Sequence, residues 1–318
     1  MTEHTDLTSW RDTTTRRSIE AFVESVVDGP NPVPETERVA VFDNDGTLWS
    51  EKPMLTQLHY VVQHWRAATE REPELAERQP YRAAVSGDLG WLGAAIDKHY
   101  DGDDSDLSVI IEAIVGLTDG MSVEDYARSV ETFYSTAQHP TLNRPYAYAV
   151  YQPMIELIRY LERNGFTCYI VSGGERDFMR PMTEANYGIP PERVIGSAFG
   201  LAYDEATATV RYSASLTFFD DGVQKPIRIW SRIGRRPLFA AGNSNGDMAM
   251  MDFARRGPEP GFALLIHHDD DTSRGDAPYD AGAEKALAAA SERGYAIASV
   301  RDDWRAVFRE DDAPAGTG

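Results

Sequence analysis

Three short apolar runs, each followed at once by a polar motif that contains glycine, constrain the fold of this chain most strongly. The sequence reads Val-Ala-Val-Phe-Asp-Asn-Asp-Gly-Thr over 39–47, Cys-Tyr-Ile-Val-Ser-Gly-Gly over 168–174, and Leu-Phe-Ala-Ala-Gly-Asn-Ser-Asn-Gly-Asp over 238–247. Short apolar runs bounded by turn residues are typical of strands that are buried on both faces. Because the carboxyl ends of parallel strands share one edge of a sheet, we expect the three polar motifs to lie together.

Helical patterns alternate with further apolar runs after about residue 145. The spacing predicts a helix over 154–161, strands over 262–266 and 295–300, and a hairpin over 201–219. Strands that alternate with helices indicate a mostly parallel sheet that is covered by helices on both faces. The sequence therefore predicts an α/β protein with a doubly wound sheet.

The segment between the first and second apolar runs has a different character. Apolar residues recur there at helical spacing in three stretches, 55–65, 110–117 and 123–133. Strand-like runs are hard to find in this segment, so the pattern predicts an all-helical insert. We therefore expect a helical cap domain at 54–144, inserted in a core formed by 1–53 and 145–318, with an N-terminal helical extension over 1–30.

The charge balance limits the partners of the chain. It carries 51 acidic and 31 basic residues, which gives a formal net charge of −20. Such a surface argues against non-specific binding to nucleic acid and against docking on anionic membranes. No run approaches the roughly 18 apolar residues of a membrane span, and the lone Cys168 excludes a disulfide within the chain. We expect a cytoplasmic protein, and the sequence indicates no oligomeric state.

The acidic residues of the first and last motifs predict a site for a divalent cation. Asp43 and Asp45 are two residues apart, so an extended backbone turns both to the same side. Carboxylates this close repel each other, and Mg²⁺ with its oxygen ligands relieves the repulsion. Asp247 supplies a further carboxylate, and Asn243 is a further candidate ligand. Taken alone, Asp-Asn-Asp-Gly is also common in turns and calcium loops, but Met54 stands where such a loop needs a glutamate.

Two further elements are suited to binding an anion. Ser172-Gly-Gly precedes a predicted helix that starts near Glu175, where a hydroxyl, close backbone and a helix N-terminus combine. An ordinary helix N-cap is the alternative. Lys225 precedes another predicted helix, and a lone lysine there is usually a surface charge. If Lys225 lies near the carboxylates, it is a candidate phosphate-binding residue, because a phosphate bound beside carboxylates needs a cation besides the metal.

Together, these four elements in this order resemble the haloacid dehalogenase (HAD) superfamily, on its phosphatase side. Ser172-Gly-Gly followed by Arg176-Asp-Phe, together with a helical insert after the first motif, resembles the phosphoserine phosphatase branch in particular. The resemblance covers most of the chain. It implies a HAD-like Rossmannoid core with an inserted cap.

The resemblance also implies roles for individual residues. Asp43 would be the nucleophile and a metal ligand, and Asp45 the general acid and base, with its backbone carbonyl on the metal. Asp247 would hold Mg²⁺. The groups implied to bind the substrate phosphate are Ser172, the Gly173 amide and Lys225. Many relatives have aspartate where this chain has Asn243, which removes one negative charge from the metal shell.

The function implied is that of a Mg²⁺-dependent phosphomonoester hydrolase, which acts on a small phosphorylated metabolite through an aspartyl-phosphate intermediate. Two alternatives remain: transfer of the phosphoryl group to another acceptor, and binding of a phosphate ester without turnover. Glu51 and Arg176 are candidates for substrate specificity, although Glu51 also suits the start of a helix. His267 and His268 have no partner at metal-ligand spacing and are assigned no role.

Overall fold

A mostly parallel sheet organises the computed structural model, which describes residues 7–100 and 102–309. The strands among these residues are β1 (Val39–Phe42), β2 (Thr167–Glu175), β3 (Val194–Asp204), β4 (Thr209–Phe218), β5 (Phe239–Gly242), β6 (Phe262–His267) and β7 (Ala296–Ser299). They lie in the order β4-β3-β2-β1-β5-β6-β7, and every neighbouring pair is parallel except β3 and β4. The predicted α/β fold with a doubly wound sheet is confirmed, and so is the hairpin.

The carboxyl ends of β1 and its two neighbours are aligned at the centre of the sheet. Phe42, the last residue of β1, pairs with Ile170 of β2 on one side and with Ala241 of β5 on the other. The chain adds strands first on the β2 side and then on the β5 side, so β1 and β5 flank the point where the strand order reverses. Ligands of open α/β sheets bind at this point. The polar motifs after β1 and β5 are therefore placed at the expected site.

Helices cover both faces of this sheet. The helices among the described residues, including those that pack only on other helices, are α1 (Thr14–Val27), α2 (Thr56–Arg71), α3 (Tyr81–Ser86), α4 (Gly90–Tyr100), α5 (Ser105–Thr118), α6 (Val123–Thr136), α7 (Gln152–Arg163), α8 (Arg176–Tyr187), α9 (Gln224–Ile233), α10 (Met248–Arg255), α11 (Glu284–Arg293) and α12 (Val300–Asp303). Alternate residues of β1 enter two separate cores: Ala40 and Phe42 lie in one, Val39 and Val41 in the other. Burial on both faces explains why this strand is apolar at every position.

In the sequence, helices α2 to α6 all come after β1 and before β2. No strand occurs among the described residues of 54–144. The indole Nε1 of Trp65 in α2 donates to the carbonyl of Ala113 in α5, 3.3 Å away. Helix α5 packs against β4, and α6 packs against α8. The segment is helical, as the spacing predicts; its division from the core as a cap domain stays a prediction.

The N-terminal helix α1 packs against the sheet. The ring of Phe22 lies 5.2 Å from that of Phe262 and 6.1 Å from that of Phe239, and Thr13 caps the helix. Within residues 7–100 and 102–309, the helices are all too short or too polar to cross a lipid bilayer.

Candidate active site

Two buried carboxylates and a buried lysine meet at the carboxyl edge of the sheet. Asp43 directly follows β1, Asp247 ends a short helical turn after β5, and Lys225 lies in the first turn of α9. The Lys225 Nζ atom is 2.7 Å from Oδ1 of Asp43 and 2.6 Å from Oδ1 of Asp247. The exposed fraction is only 2% for Lys225, 6% for Asp43 and 0% for Asp247. Three positions far apart in sequence therefore share one desolvated cluster.

Lys225 remains charged despite its burial. Burial by itself lowers the pKa of the ammonium, but the carboxylates of Asp247 and Asp43 outweigh it, and the pKa of Lys225 lies well above its usual value. Helix α9 begins at Gln224, so Lys225 lies inside the helix rather than before it. The first turn of a helix holds this side chain in a defined direction. Lys225 is therefore a fixed positive charge, not a solvated surface lysine.

The pair of carboxylates favours a further cation. Burial raises the pKa of Asp43 well above its usual value, the charge of Asp247 raises it further, and Lys225 opposes both effects. Two carboxylates with one ammonium leave a net negative charge in a buried place, which is costly unless another cation compensates it.

The oxygen atoms at this place fit a hard divalent ion. No group of three His, Cys, Asp or Glu side chains arranged for a metal occurs in the part of the chain that the structure describes. Besides the carboxylates of Asp43 and Asp247, the loop after β5 carries the carboxamide oxygen of Asn243, whose backbone amide donates to Oδ2 of Asp247 at 3.0 Å. Carboxylate, carbonyl and amide oxygens are ligands that Mg²⁺ accepts, and Mg²⁺ commonly retains waters or takes substrate oxygens as well. The residues present therefore fit Mg²⁺.

One oxygen of Asp247 is anchored by its own loop. Its Oδ2 atom accepts from the backbone amides of Asn243 and Ser244, at 3.0 and 2.9 Å, and from the Ser244 hydroxyl at 2.9 Å. A side chain at Gly242 would overlap Asp247, so only glycine allows this approach. The other oxygen, Oδ1, is directed to Lys225. The loop after β5 thus presents a single orientation of this carboxylate.

Asn243 joins the first motif to the last. Its Oδ1 atom accepts from the Thr47 hydroxyl at 3.0 Å, and its Nδ2 atom donates to Oε1 of Glu51 at 3.3 Å. Gly46 has a φ of +72°, and a side chain there would overlap the Asn243 carboxamide. The amide oxygen retains a second lone pair for a cation. A role of Asn243 as a metal ligand stays a prediction.

Asp45 has the environment of a group that exchanges protons near neutral pH. Burial raises the pKa of Asp45 to about 7, while a hydrogen bond from the Trp49 indole lowers it and the charge of Glu51 raises it. The Trp49 Nε1 atom lies 2.8 Å from Oδ1 of Asp45. A Cβ atom built on Gly174 would lie 3.4 Å from both Oδ2 of Asp45 and Oγ of Ser172. Asp45 therefore faces the second motif across a narrow space.

The second motif lies inside β2, which extends to Glu175. The Ser172 hydroxyl accepts from the Gly174 amide at 3.1 Å, and the Gly173 carbonyl accepts from the Ser197 hydroxyl at 2.7 Å. The N-cap of α8 is Glu175, which accepts from two backbone amides of the first turn. The alternative that Ser172 is the ordinary N-cap of this helix is therefore wrong.

The two specificity candidates lie in different surroundings. Glu51 lines a cleft of about 750 Å³, together with Leu58, Leu92 and Asn243. Helix α2 begins only at Thr56, so Glu51 is not in its first turn. The guanidinium of Arg176 makes two 2.9 Å hydrogen bonds to the carboxylate of the adjacent Asp177. Arg176 is thus already paired, and contact of either residue with substrate stays a prediction.

Sequence reasoning missed a buried pair beside the first motif. His268 is 2% exposed, its Nε2 atom lies 2.7 Å from the Gly46 carbonyl, and its Nδ1 atom lies 2.6 Å from Oδ2 of Asp276. No local spacing signals this contact, because Gly46 is more than 200 positions away in the chain. The run His-His-Asp-Asp-Asp at 267–271, directly after an apolar strand, is the only sequence hint of a polar function here.

The fold and the cluster together define an α/β protein with an acidic, lysine-bridged site at the switch point of its sheet. The family model of the haloacid dehalogenase-like hydrolases matches residues 40–252, which is more than half of the chain and includes every residue from Asp43 to Asp247. The chain therefore belongs to the haloacid dehalogenase-like hydrolases. No curated protein sequence matches it.

Solved structures share the fold at low sequence identity. A protein of unknown function from Bordetella pertussis Tohama I is 16% identical with a TM-score of 0.53, over 82% of this chain and 97% of that one. A functionally unknown protein from Anaerococcus prevotii DSM 20548 is 16% identical with a TM-score of 0.54, over 88% and 90%. A probable phosphoserine phosphatase from Vibrio cholerae is also similar, at 14% identity and a TM-score of 0.39, over 81% and 66%.

Proposed function

We propose that this protein is a Mg²⁺-dependent phosphomonoester hydrolase that acts on a small phosphorylated metabolite through an aspartyl phosphate on Asp43. The observation that carries the proposal is the contact of the Lys225 ammonium with the carboxylates of both Asp43 and Asp247. A buried nucleophilic carboxylate beside a fixed cation is suited to attack on a dianionic phosphate. Membership of a hydrolase family supports the reaction class.

The residues proposed to hold Mg²⁺ are Asp43, Asp247, the backbone carbonyl of Asp45 and Asn243. When bound, the ion offsets the negative charge of the phosphoryl oxygens and of the two carboxylates. The proposed phosphate site consists of the Ser172 hydroxyl, the Gly173 amide and the Lys225 ammonium. Lys225 is rigidly placed by its helix and its two carboxylates, so it stabilises developing charge without reorganising.

The proposed reaction has two steps. In the first, a carboxylate oxygen of Asp43 forms a bond to phosphorus while the bond from phosphorus to the ester oxygen breaks. Protonated Asp45 gives its proton to the leaving alkoxide. In the second, Asp45 takes a proton from water as the water oxygen attacks phosphorus, and phosphate leaves Asp43. A pKa of about 7 allows Asp45 both protonation states near neutral pH.

The helical segment is proposed to act as a cap over this site. The 750 Å³ cleft lies between α2 and α4 of that segment and the loop after β5, and its size suits a small molecule. Glu51, which lines this cleft, is proposed to contact a polar group of the substrate. Arg176, which follows the second motif, is proposed to contact the substrate as well. Selection of substrate by these residues, and a cytoplasmic location, stay predictions.

The test is an assay of the purified protein with p-nitrophenyl phosphate and a panel of alkyl phosphomonoesters, with and without Mg²⁺. We expect release of inorganic phosphate that requires Mg²⁺ and is lost with EDTA. Addition of alcohol or sugar acceptors distinguishes transfer from hydrolysis, because transfer yields a new ester. Binding of esters without any release of phosphate would contradict the proposal. It would indicate a protein that binds phosphate esters without turnover.

A further inference from the structure

A buried chain of hydrogen bonds ends on the backbone of the first motif. The hydroxyl of Tyr151 donates to Oδ1 of Asp276 at 2.8 Å, and Oδ2 of Asp276 lies 2.6 Å from Nδ1 of His268. The Nε2 atom of His268 lies 2.7 Å from the carbonyl oxygen of Gly46. Tyr151, Asp276 and His268 are 0%, 4% and 2% exposed. Solvent therefore does not compete for these contacts.

The direction of each hydrogen bond follows from its acceptor. The Gly46 carbonyl only accepts, so Nε2 of His268 carries a proton and donates it. The Asp276 carboxylate accepts from Tyr151 and is the natural acceptor for a proton on Nδ1. The ring of Tyr279 stacks on the imidazole, with centroids 4.6 Å apart and planes 12° from parallel. The imidazole is thus held at both nitrogens and on one face.

Gly46 is held by three contacts, the first of which is the hydrogen bond from its amide to the Trp49 carbonyl, at 2.9 Å. His268 binds its carbonyl, and the Asn243 carboxamide occupies the space where a side chain would be. Gly46 directly follows Asp45, and its φ of +72° makes the turn that comes directly after the Asp45 side chain. A shift of this turn would move Asp45 directly, whereas Asp43 is held separately by the bond of its amide to the Ala241 carbonyl, at 2.9 Å.

We propose that His268, oriented by Asp276, is a positioning residue that holds the Gly46 turn and thereby aims Asp45 at the leaving oxygen of the substrate. This inference rests on the proposed function, since it assigns Asp45 the part of general acid. It predicts that loss of the contact impairs proton transfer to the leaving group more than it impairs attack by Asp43.

A pair of variants separates the two nitrogens of His268. His268→Gln places an amide donor near the position of Nε2 and retains the bond to Gly46. In His268→Asn the shorter side chain reaches only the position of Nδ1. It therefore retains the hydrogen bond to Asp276 and loses the one to the Gly46 carbonyl. His267→Asn is the matched control, because this neighbouring histidine bonds Asp280 at the surface, 2.9 Å away.

The readout is kcat/KM for two kinds of ester: p-nitrophenyl phosphate, whose leaving group needs little protonation, and glycerol 2-phosphate or phosphoserine, whichever the wild type turns over faster. We expect His268→Asn to lower kcat/KM about 30-fold for the alkyl ester and about threefold for the aryl ester, as lost acid catalysis requires. His268→Gln and His267→Asn are expected to stay within about threefold of wild type for both. Thermal unfolding establishes that each variant is folded at the assay temperature.

Three results would overturn the inference. The first is an equal loss of kcat/KM for both esters in His268→Asn, which indicates a merely structural role. The second is a His268→Gln variant that is as impaired as His268→Asn. The third is a His268→Asn variant whose kcat/KM is unchanged for both esters. Wild-type protein that hydrolyses neither ester overturns the proposed function and this inference with it. Wild-type turnover combined with any of the three results overturns this inference alone.

Discussion

The ammonium of Lys225 lies 2.6 Å from the Oδ1 atom of Asp247, and neither side chain is more than 2% exposed. The same ammonium reaches Asp43, so one lysine compensates two carboxylates that belong to different ends of the sequence. A buried charge is stable only when it is paired. The cluster is therefore a structural as well as a chemical element, and the two contributions can be measured separately.

Replacement of Lys225 tests the structural contribution. Lys225→Met preserves much of the side-chain volume but leaves two neighbouring buried carboxylates without their partner. We expect the free energy of unfolding to fall by about 3–5 kcal/mol. Urea denaturation at pH 7 without metal is the measurement. Lys285→Met, at an exposed lysine of α11, is the control and is expected to change stability by less than about 0.5 kcal/mol. Equal stability of the two variants would contradict a paired buried cluster.

Replacement of Asp43 tests the chemical contribution. Asp43→Asn removes the nucleophile, while its amide oxygen can still accept from Lys225, which keeps its bond to Asp247. We expect kcat for p-nitrophenyl phosphate to fall by about 10³-fold or more, with a thermal midpoint close to that of wild type. Asp12→Asn, at a carboxylate that is exposed at the surface, is the matched control with unchanged activity. Normal activity of the Asp43 variant would mean that the nucleophile is misassigned.

The contact between Asn243 and Glu51 predicts how the metal site responds to an added charge. Asn243→Asp supplies a third acidic side chain, but it also replaces the donor that faces Glu51 at 3.3 Å with a second carboxylate. We expect the Mg²⁺ concentration for half-maximal activity to fall less than about threefold in this variant, and about tenfold when Glu51→Gln is combined with it. Glu51→Gln alone is the control. If the Mg²⁺ concentration for half-maximal activity is the same in Asn243→Asp as in the double variant, Glu51 does not oppose the new charge.

Asp220 predicts a pH dependence of stability. Its side chain is 0% exposed, and neither carboxylate oxygen has a hydrogen-bond partner among the described residues. Burial raises the pKa of Asp220 from 3.8 to about 7, although Lys225 and Arg228 lower it. The folded state therefore binds this proton more tightly than the unfolded state does. The contribution of Asp220 to stability therefore falls as the pH rises from about 4 to about 7, and it is constant above that window.

Asp220→Asn removes this titration. We expect the variant to gain stability relative to wild type as the pH rises through the window, by about 2–4 kcal/mol in total. Denaturation midpoints between pH 4 and pH 8 provide the measurement. Glu24→Gln removes one carboxylate from the exposed side of α1 and serves as the control. A stability difference that does not change with pH would mean that Asp220 is ionised in the folded protein over the whole range.

Patterns that are local in the chain predict most of the architecture of this protein. The runs at 39–42 and 262–266 form strands almost as predicted, and the three helical stretches predicted within 54–144 correspond to α2, α5 and α6, whereas no spacing predicted α3 and α4. These features are local: an apolar run, a periodicity or a glycine turn is decided by residues adjacent in the chain. The meeting of Asp43 and Asp247 also followed, because the carboxyl ends of parallel strands lie at one edge. Lys225 lies in α9 rather than at the end of a strand, and the sequence predicted its place only from the need of a bound phosphate for a cation.

The pairing of individual atoms and their removal from water depend on contacts between distant parts of the chain. The contacts of His268 with Gly46 and of Asn243 with Glu51 join positions about 200 residues apart. The burial of Asp220 and the proton affinity of Asp45 depend on side chains packed around them from several elements. Hydrogen bonding and desolvation act through space, so no spacing along the chain encodes them.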